Sequence, residues 1–177
     1  MGKNNNKTWL YFAYGSNLNK TQMAMRCPTS IPKFRAKLFG ARLVFKTYAD
    51  VKRVDTNRAR TFIMGAVYEI TKEDMKALDY YEGFPTFYKK VNCRVMDDYG
   101  KVHQVFMYIM QPKVRKLELP TEHYLNICHD GFQDWGINPK TLFAGWEWTQ
   151  SEIERRQQAK LKRQEEKLLL VGGNENA

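Results

Sequence analysis

Two stretches of this 177-residue chain hold residue types that can do chemistry together: "YFAYGSNL" at 11–18 and "LDYYEGF" at 78–84. In the second, Glu82 falls at the C-terminal end of an expected helix, among Tyr80, Tyr81 and Phe84. The negative end of the helix dipole and desolvation by the rings both disfavour its anion. Both raise its pKa toward the range useful to a general base. Asp79 is a competing candidate, and either carboxylate taken alone is also an ordinary charge of a helix surface. In the first stretch, bulky apolar residues run into a turn of small polar ones. Gly15 permits a sharp turn where a side chain would obstruct it. Backbone N–H groups left unpaired at the start of the next helix form a nest for an anion or a developing oxyanion. An ordinary Gly-containing connection with an Asx-type cap has the same local features.

Other chemistries lack their residues. His103, His123 and His129 show no HxxxH or HExxH spacing, and Cys27, Cys93 and Cys128 form no CxxC pair. "YGSNL" lacks the GxSxG nucleophile elbow, and no GxGxxG or Walker loop occurs. Carboxylate acid–base chemistry without metal or cofactor is what remains.

The elements that must position these residues follow from pattern and punctuation. "TWLYFA" reads as a buried strand, and "NKTQMAMRC" as a short helix capped by Asn17 or Asn19. "KFRAKLFGARLVFKTYA" is extended, with a bend at Gly40. Residues 50–60, "DVKRVDTNRAR", read as an exposed loop or irregular hairpin end. "TFIMGAVYEI" is apolar enough for a strand buried on both faces. A helix capped by Thr71, with Glu73 and Asp74 in its first turn, stops at Gly83. "TFYKKVNCRVMD" and "KVHQVFMYIM" form a hairpin through "DYG". Pro120 opens a further helix to about Trp135, with Tyr124, Ile127, Cys128 and Phe132 as its core stripe. Ser151 and Glu154 form a capping box at the head of a charged C-terminal helix. The expected class is α+β: a small mixed, barrel-like sheet with flanking helices.

Composition narrows the setting. No apolar run approaches the roughly 20 residues that span a bilayer, and "MGKNNNKTW" has no apolar signal region. Three cysteines without a pairing pattern read as reduced thiols of a cytoplasmic protein. The net charge of +10 is concentrated in part between Lys33 and Arg60. There basic residues alternate with apolar ones, as on the solvent face of a strand, and no nucleic-acid-binding motif accompanies them.

The two reactive stretches together resemble the γ-glutamylcyclotransferase family and its AIG2-like relatives. "YFAYGSNL" is similar to that family's N-terminal signature, and "GAVYEITKEDMKALDYYEGFPTFYKKVNCRV" resembles its LDxxEG region in order and spacing. "ADV" at 49–51 resembles its second loop, and "PTEHYLNICHDGFQDWGI" its closing helix. The resemblance covers roughly residues 8–137. It implies a barrel-like sheet of about six strands with a cavity beside "YGSNL". Glu82 is then the acid/base, and Tyr11, Phe12, Ala13, Tyr14, Gly15 and Ser16 line the γ-glutamyl site. Asn17 supports the turn, and Tyr88 and Tyr108 contribute further contacts. It also implies release of 5-oxoproline from a small γ-glutamyl substrate, with no cofactor.

The basic loop and the C-terminal helix depart from the family pattern. The expected layout is a disordered N-terminus (1–7), a cyclotransferase-like domain (8–148), a charged helix (149–171) that can meet a protein partner or a second copy, and a disordered tail (172–177). The rival reading is a catalytically silent module that binds a small acidic or γ-glutamyl-like ligand. A third, RNA binding, rests on the basic segment and tail alone.

Overall fold

The computed structural model describes residues 7–54 and 61–172. The expected disorder of 1–7 and 172–177 falls almost wholly outside these residues, as does most of the basic loop at 55–60.

Seven strands and four α-helices occur among the described residues. In chain order they are β1 (Trp9–Ala13), α1 (Lys20–Arg26), β2 (Ile31–Phe39), β3 (Ala41–Lys46), β4 (Tyr48–Arg53), β5 (Phe62–Ile70), α2 (Lys72–Tyr81), β6 (Tyr88–Asp97), β7 (Val102–Met110), α3 (Glu122–Asp134) and α4 (Lys140–Gly172). The class is α+β. The barrel closes with five strands in the order β1-β5-β2-β6-β7, and β3 and β4 form a separate two-stranded sheet. Where the resemblance implies a barrel of about six strands, the barrel has five, and the other two form a hairpin beside it. Closure comes from a parallel contact of β1 with β7, Tyr11 opposite Phe106. It leaves the barrel without an open sheet edge.

The near-continuous apolar run of β5 pairs with β1 on one side and β2 on the other. Its residues Ile63, Ala66, Val67, Tyr68 and Ile70 are buried. Gly40, at φ +67°, turns the chain from β2 into β3, a conformation that glycine adopts without steric cost.

The expected loop at 50–60 begins instead as strand. β4 pairs with β3 from Ala41↔Arg53 to Lys46↔Tyr48. Its polar sequence hides the pairing, because only Ala49 and Asp50 are buried. Asp50 is held there by a salt bridge to Lys46 at 2.8 Å and by the Met110 N–H at 2.9 Å.

The C-terminal helix also starts earlier than the Ser151 capping box suggests. α4 is continuous from Lys140, so Ser151 is interior to it. Leu142, Gly145 and Thr149 repeat at helical spacing and face β3. Leu142 is fully buried, which contributes about 2 kcal/mol. Thr149 Oγ1 accepts the Phe45 N–H at 3.0 Å and donates to the Gly145 carbonyl at 2.8 Å. Beyond Ile153 the side chains are exposed through Leu169. Truncation after Gln150 therefore keeps the packed turns and removes solvated ones. The expected result is a melting temperature within about 4 °C of the full chain, which for this size corresponds to roughly 1 kcal/mol. A larger fall in a thermal melt would show that the projecting half stabilises the barrel.

No helix among the described residues is long and apolar enough to cross a membrane. Cys27, Cys93 and Cys128 are free thiols.

Candidate active site

A cavity of about 460 Å³ opens between the barrel and the β3–β4 hairpin, within the usual size for a small-molecule site. β1 supplies one wall through Tyr11, and the chain then leaves the strand through Tyr14 and Gly15. Ser16–Leu18 form a single 3-10 turn, closed by the Leu18 N–H to the Gly15 carbonyl at 2.9 Å. Asn19, not Asn17, caps α1, accepting the Gln22 N–H at 2.9 Å. That leaves Asn17 free for the site. Among the described residues, the N–H groups of Gly15, Ser16 and Asn17 donate to no protein acceptor. The donors expected at the start of α1 thus belong to the 3-10 turn before it.

The turn is clamped from behind by α3. A Cβ on Gly131 would stand 2.5 Å from the Asn19 nitrogen, so only glycine lets this helix approach so closely. Trp135 adds a 3.0 Å hydrogen bond from its indole to the Leu18 carbonyl.

α2 delivers Glu82. Thr71 and Asp74 close a reciprocal capping box at its start, and Glu82 is the C-cap, its N–H bonded to the Leu78 carbonyl at 2.8 Å. Gly83 at φ +61° then reverses the chain. The carboxylate accepts the Asn17 amide at 2.9 Å, and the same Asn17 nitrogen donates to the Tyr11 hydroxyl at 2.8 Å. Arg26 donates to the Asn17 carbonyl oxygen and lies over the Tyr81 ring at 3.8 Å. The amide orientation of Asn17 is therefore fixed from both ends. Burial pushes the Glu82 carboxyl up to about 7, against the Asn17 hydrogen bond and the Arg26 charge that favour the anion.

Asp79, the rival carboxylate, is occupied elsewhere. It accepts the Tyr108 hydroxyl at 2.6 Å and Lys90 at 2.9 Å, and it does not line the cavity. Its effect is indirect: with the Tyr108 proton held by Asp79, the phenol oxygen offers the cavity only lone pairs. Tyr14 commits its proton to the Tyr108 carbonyl at 2.5 Å, and Tyr88 to the Ala49 carbonyl at 3.3 Å. Burial raises all of these phenols above their ordinary range, so they stay neutral. Three hydroxyl oxygens and the Glu82 carboxylate make this wall an acceptor surface suited to an ammonium group.

Glu82, Tyr11, Tyr14, Gly15, Ser16, Asn17, Tyr88 and Tyr108 all meet at this one cavity. Phe12 and Ala13 do not. Both are fully buried in the core: Phe12 projects from the face of β1 opposite Tyr11, and Ala13, on the Tyr11 face, is covered by other residues and does not reach the lining. Tyr48, Phe87, Arg115 and Tyr124 also line it, and sequence reasoning misses them as site residues. Tyr124 reads as part of the core stripe of α3, yet its hydroxyl accepts the Ala49 N–H at 3.1 Å and borders the cavity. The thiols lie outside the lining, and burial pushes Cys27 and Cys128 up to about 12 and Cys93 to about 11.

A family profile described as γ-glutamyl cyclotransferase, AIG2-like, matches residues 11–126. Among solved structures, a protein named γ-glutamyl cyclotransferase superposes with TM-score 0.68 at 23% identity, over 76% of this chain and 83% of its own. An uncharacterised Homo sapiens protein gives 0.65 at 22%, over 81% and 85%. YkqA from Bacillus subtilis gives 0.62 at 20%, over 85% of this chain and 54% of its own. At these identities the likeness is one of fold. No curated protein gives a significant sequence match. The profile match spans more than half of the chain and both reactive stretches, and on it the chain belongs to the γ-glutamyl cyclotransferase, AIG2-like family.

Proposed function

We propose that the protein is a γ-glutamyl cyclotransferase, releasing 5-oxoproline and a free amine or amino acid from a small γ-glutamyl amide. The observation that carries this reading is that the Glu82 carboxyl lines the same cavity as Gly15 and Ser16, whose backbone N–H groups donate to no protein acceptor among the described residues. The nucleophile is the substrate's own α-amine, so the chain needs no serine, thiol or cofactor. Folding the substrate back on itself in the cavity supplies a near-attack geometry.

Glu82 takes a proton from the α-ammonium group held by the acceptor wall. The freed amine attacks the γ-carbonyl carbon, and a carbon–nitrogen bond closes the five-membered ring. The Gly15 and Ser16 N–H groups stabilise the oxyanion. As the intermediate collapses, the old amide bond breaks and the departing nitrogen takes its protons through Glu82. The lactam nitrogen keeps one hydrogen. The exposed stretch of α4 from Glu154 to Leu169 is a surface for a protein partner or a second copy, outside this chemistry. The free thiols suit a reducing, cytoplasmic setting.

The test is a panel of γ-glutamyl amino acids and γ-glutamyl amines assayed for 5-oxoproline. Release from at least one, lost on heat denaturation, is the expected result. Binding without release across the panel would support the silent-module reading instead.

A further inference from the structure

We infer that Arg115 is a specificity-determining residue that reads a carboxylate on the leaving half of the substrate; this rests on the cyclotransferase reading of the cavity. Among the residues lining the cavity, Arg115 is the one cation and Glu82 the one anion. Arg115 is exposed, whereas Tyr11, Tyr14, Ser16 and Asn17 are buried, so the positive charge stands at the rim.

The guanidinium is held in place without being neutralised by direct contact. It lies 5.5 Å from the centroids of both Tyr48 and Phe87, and one nitrogen donates to Thr47 Oγ1 at 3.0 Å. No carboxylate among the described residues forms a salt bridge with it; Glu118 is reached only through the Thr47 hydroxyl. Thr47 itself sits at φ +68°, rare for a β-branched residue. That backbone is held by the Thr47 N–H to the Glu118 carbonyl at 3.0 Å and by the Glu118 N–H to the Phe45 carbonyl at 3.2 Å. The segment carrying Arg115 is therefore strapped to the hairpin tip. A guanidinium fixed in this way, with donors remaining, suits a planar carboxylate.

The direction of the substrate decides which carboxylate. Ring closure requires the α-amine at Glu82 and the γ-carbonyl at the Gly15–Ser16 turn, both less exposed than Arg115. The amine half then extends outward past Tyr48 to Arg115. A leaving amino acid places its carboxylate there, and a leaving group ending in a cation is repelled.

γ-Glutamyl-alanine and γ-glutamyl-ethylamine differ by that carboxylate alone, and they test the inference on the full chain with Arg115, Arg115→Gln and Arg115→Lys. The readouts are kcat/KM for 5-oxoproline where release occurs and calorimetric Kd where it does not. Arg115→Gln is expected to weaken γ-glutamyl-alanine by about tenfold or more, as for a lost charge-assisted pair, and γ-glutamyl-ethylamine by less than about twofold. Arg115→Lys should fall between. Equal loss on both compounds would place the arginine on their shared α-carboxylate and overturn the inference, as would no loss, or no binding of either. Selective binding without 5-oxoproline would uphold Arg115 while removing the cyclotransferase reading.

Discussion

Glu82→Gln is expected to lower 5-oxoproline release by about a hundredfold or more while leaving the chain folded. The amide has the shape of the carboxyl and still accepts from Asn17, but it cannot carry the proton. Near-normal turnover would remove Glu82 as the base. The same residue fixes the pH dependence. It must be ionised to take a proton from the substrate ammonium, so kcat/KM should rise with pH through about 7. Stability runs the opposite way. The unfolded carboxyl loses its proton near its ordinary value of 4.5, and the folded one holds it to about 7. Over that interval the native state binds more protons, and the wild-type chain loses stability as pH rises. The loss is about 3 kcal/mol at most, at roughly 1.4 kcal/mol for each tenfold difference in proton affinity between the two states. Glu82→Gln lacks this penalty. Its melting temperature should therefore exceed wild type by several degrees at pH 8 and converge on it as pH falls to about 4, below the ordinary carboxyl value, which paired thermal melts would check.

Gly15→Val is expected to abolish measurable substrate binding. A Cβ at this position would lie 3.0 Å from the Ala49 Cβ and 3.2 Å from the Tyr124 hydroxyl, and valine adds two methyl groups beyond it. The effect expected here is steric, from the crowding of the added side chain against Ala49 and Tyr124. Because the turn abuts a cavity, the side chain has open space on one side, and the fold should survive with a loss of about 1–3 kcal/mol. Gly15→Ala should produce a smaller KM increase, about tenfold. Unchanged affinity in a folded Gly15→Val protein would show that the turn does not contact substrate.

Much of the site is legible in the chain because its chemistry sits in two contiguous stretches. A strand, a turn and a helix end are each local events, so "YFAYGSNL" and "LDYYEGF" announce Tyr11 through Asn17 and Glu82 without tertiary information. The choice between Glu82 and Asp79 is not local. It depends on Tyr108 and Lys90, from the β6–β7 hairpin, taking Asp79 out of the cavity. Arg115, Tyr48 and Tyr124 stay hidden for the same reason: the strap, the hairpin and α3 each contribute one residue, with no spacing to link them. Phe12 and Ala13 show the opposite error, since membership of a motif does not mean contact with the cavity. In β4, pairing with β3 overrides an exposed, charged pattern. In α4, the helix signal at Ser151 is real as composition but not as a boundary.

The positions of the three thiols have a consequence for inhibition. Cys27 and Cys128 are fully buried, and none of the three borders the cavity. Alkylating agents, peroxides and disulfide reagents that silence cysteine enzymes have no sulfur to attack where substrate binds. Electrophiles built for an activated serine meet only Ser16, which has no histidine beside it in the cavity lining. A covalent blocker of this cavity would have to be aimed at the Glu82 carboxyl or a tyrosine hydroxyl, because thiol- and serine-directed chemistry finds no activated partner in its lining.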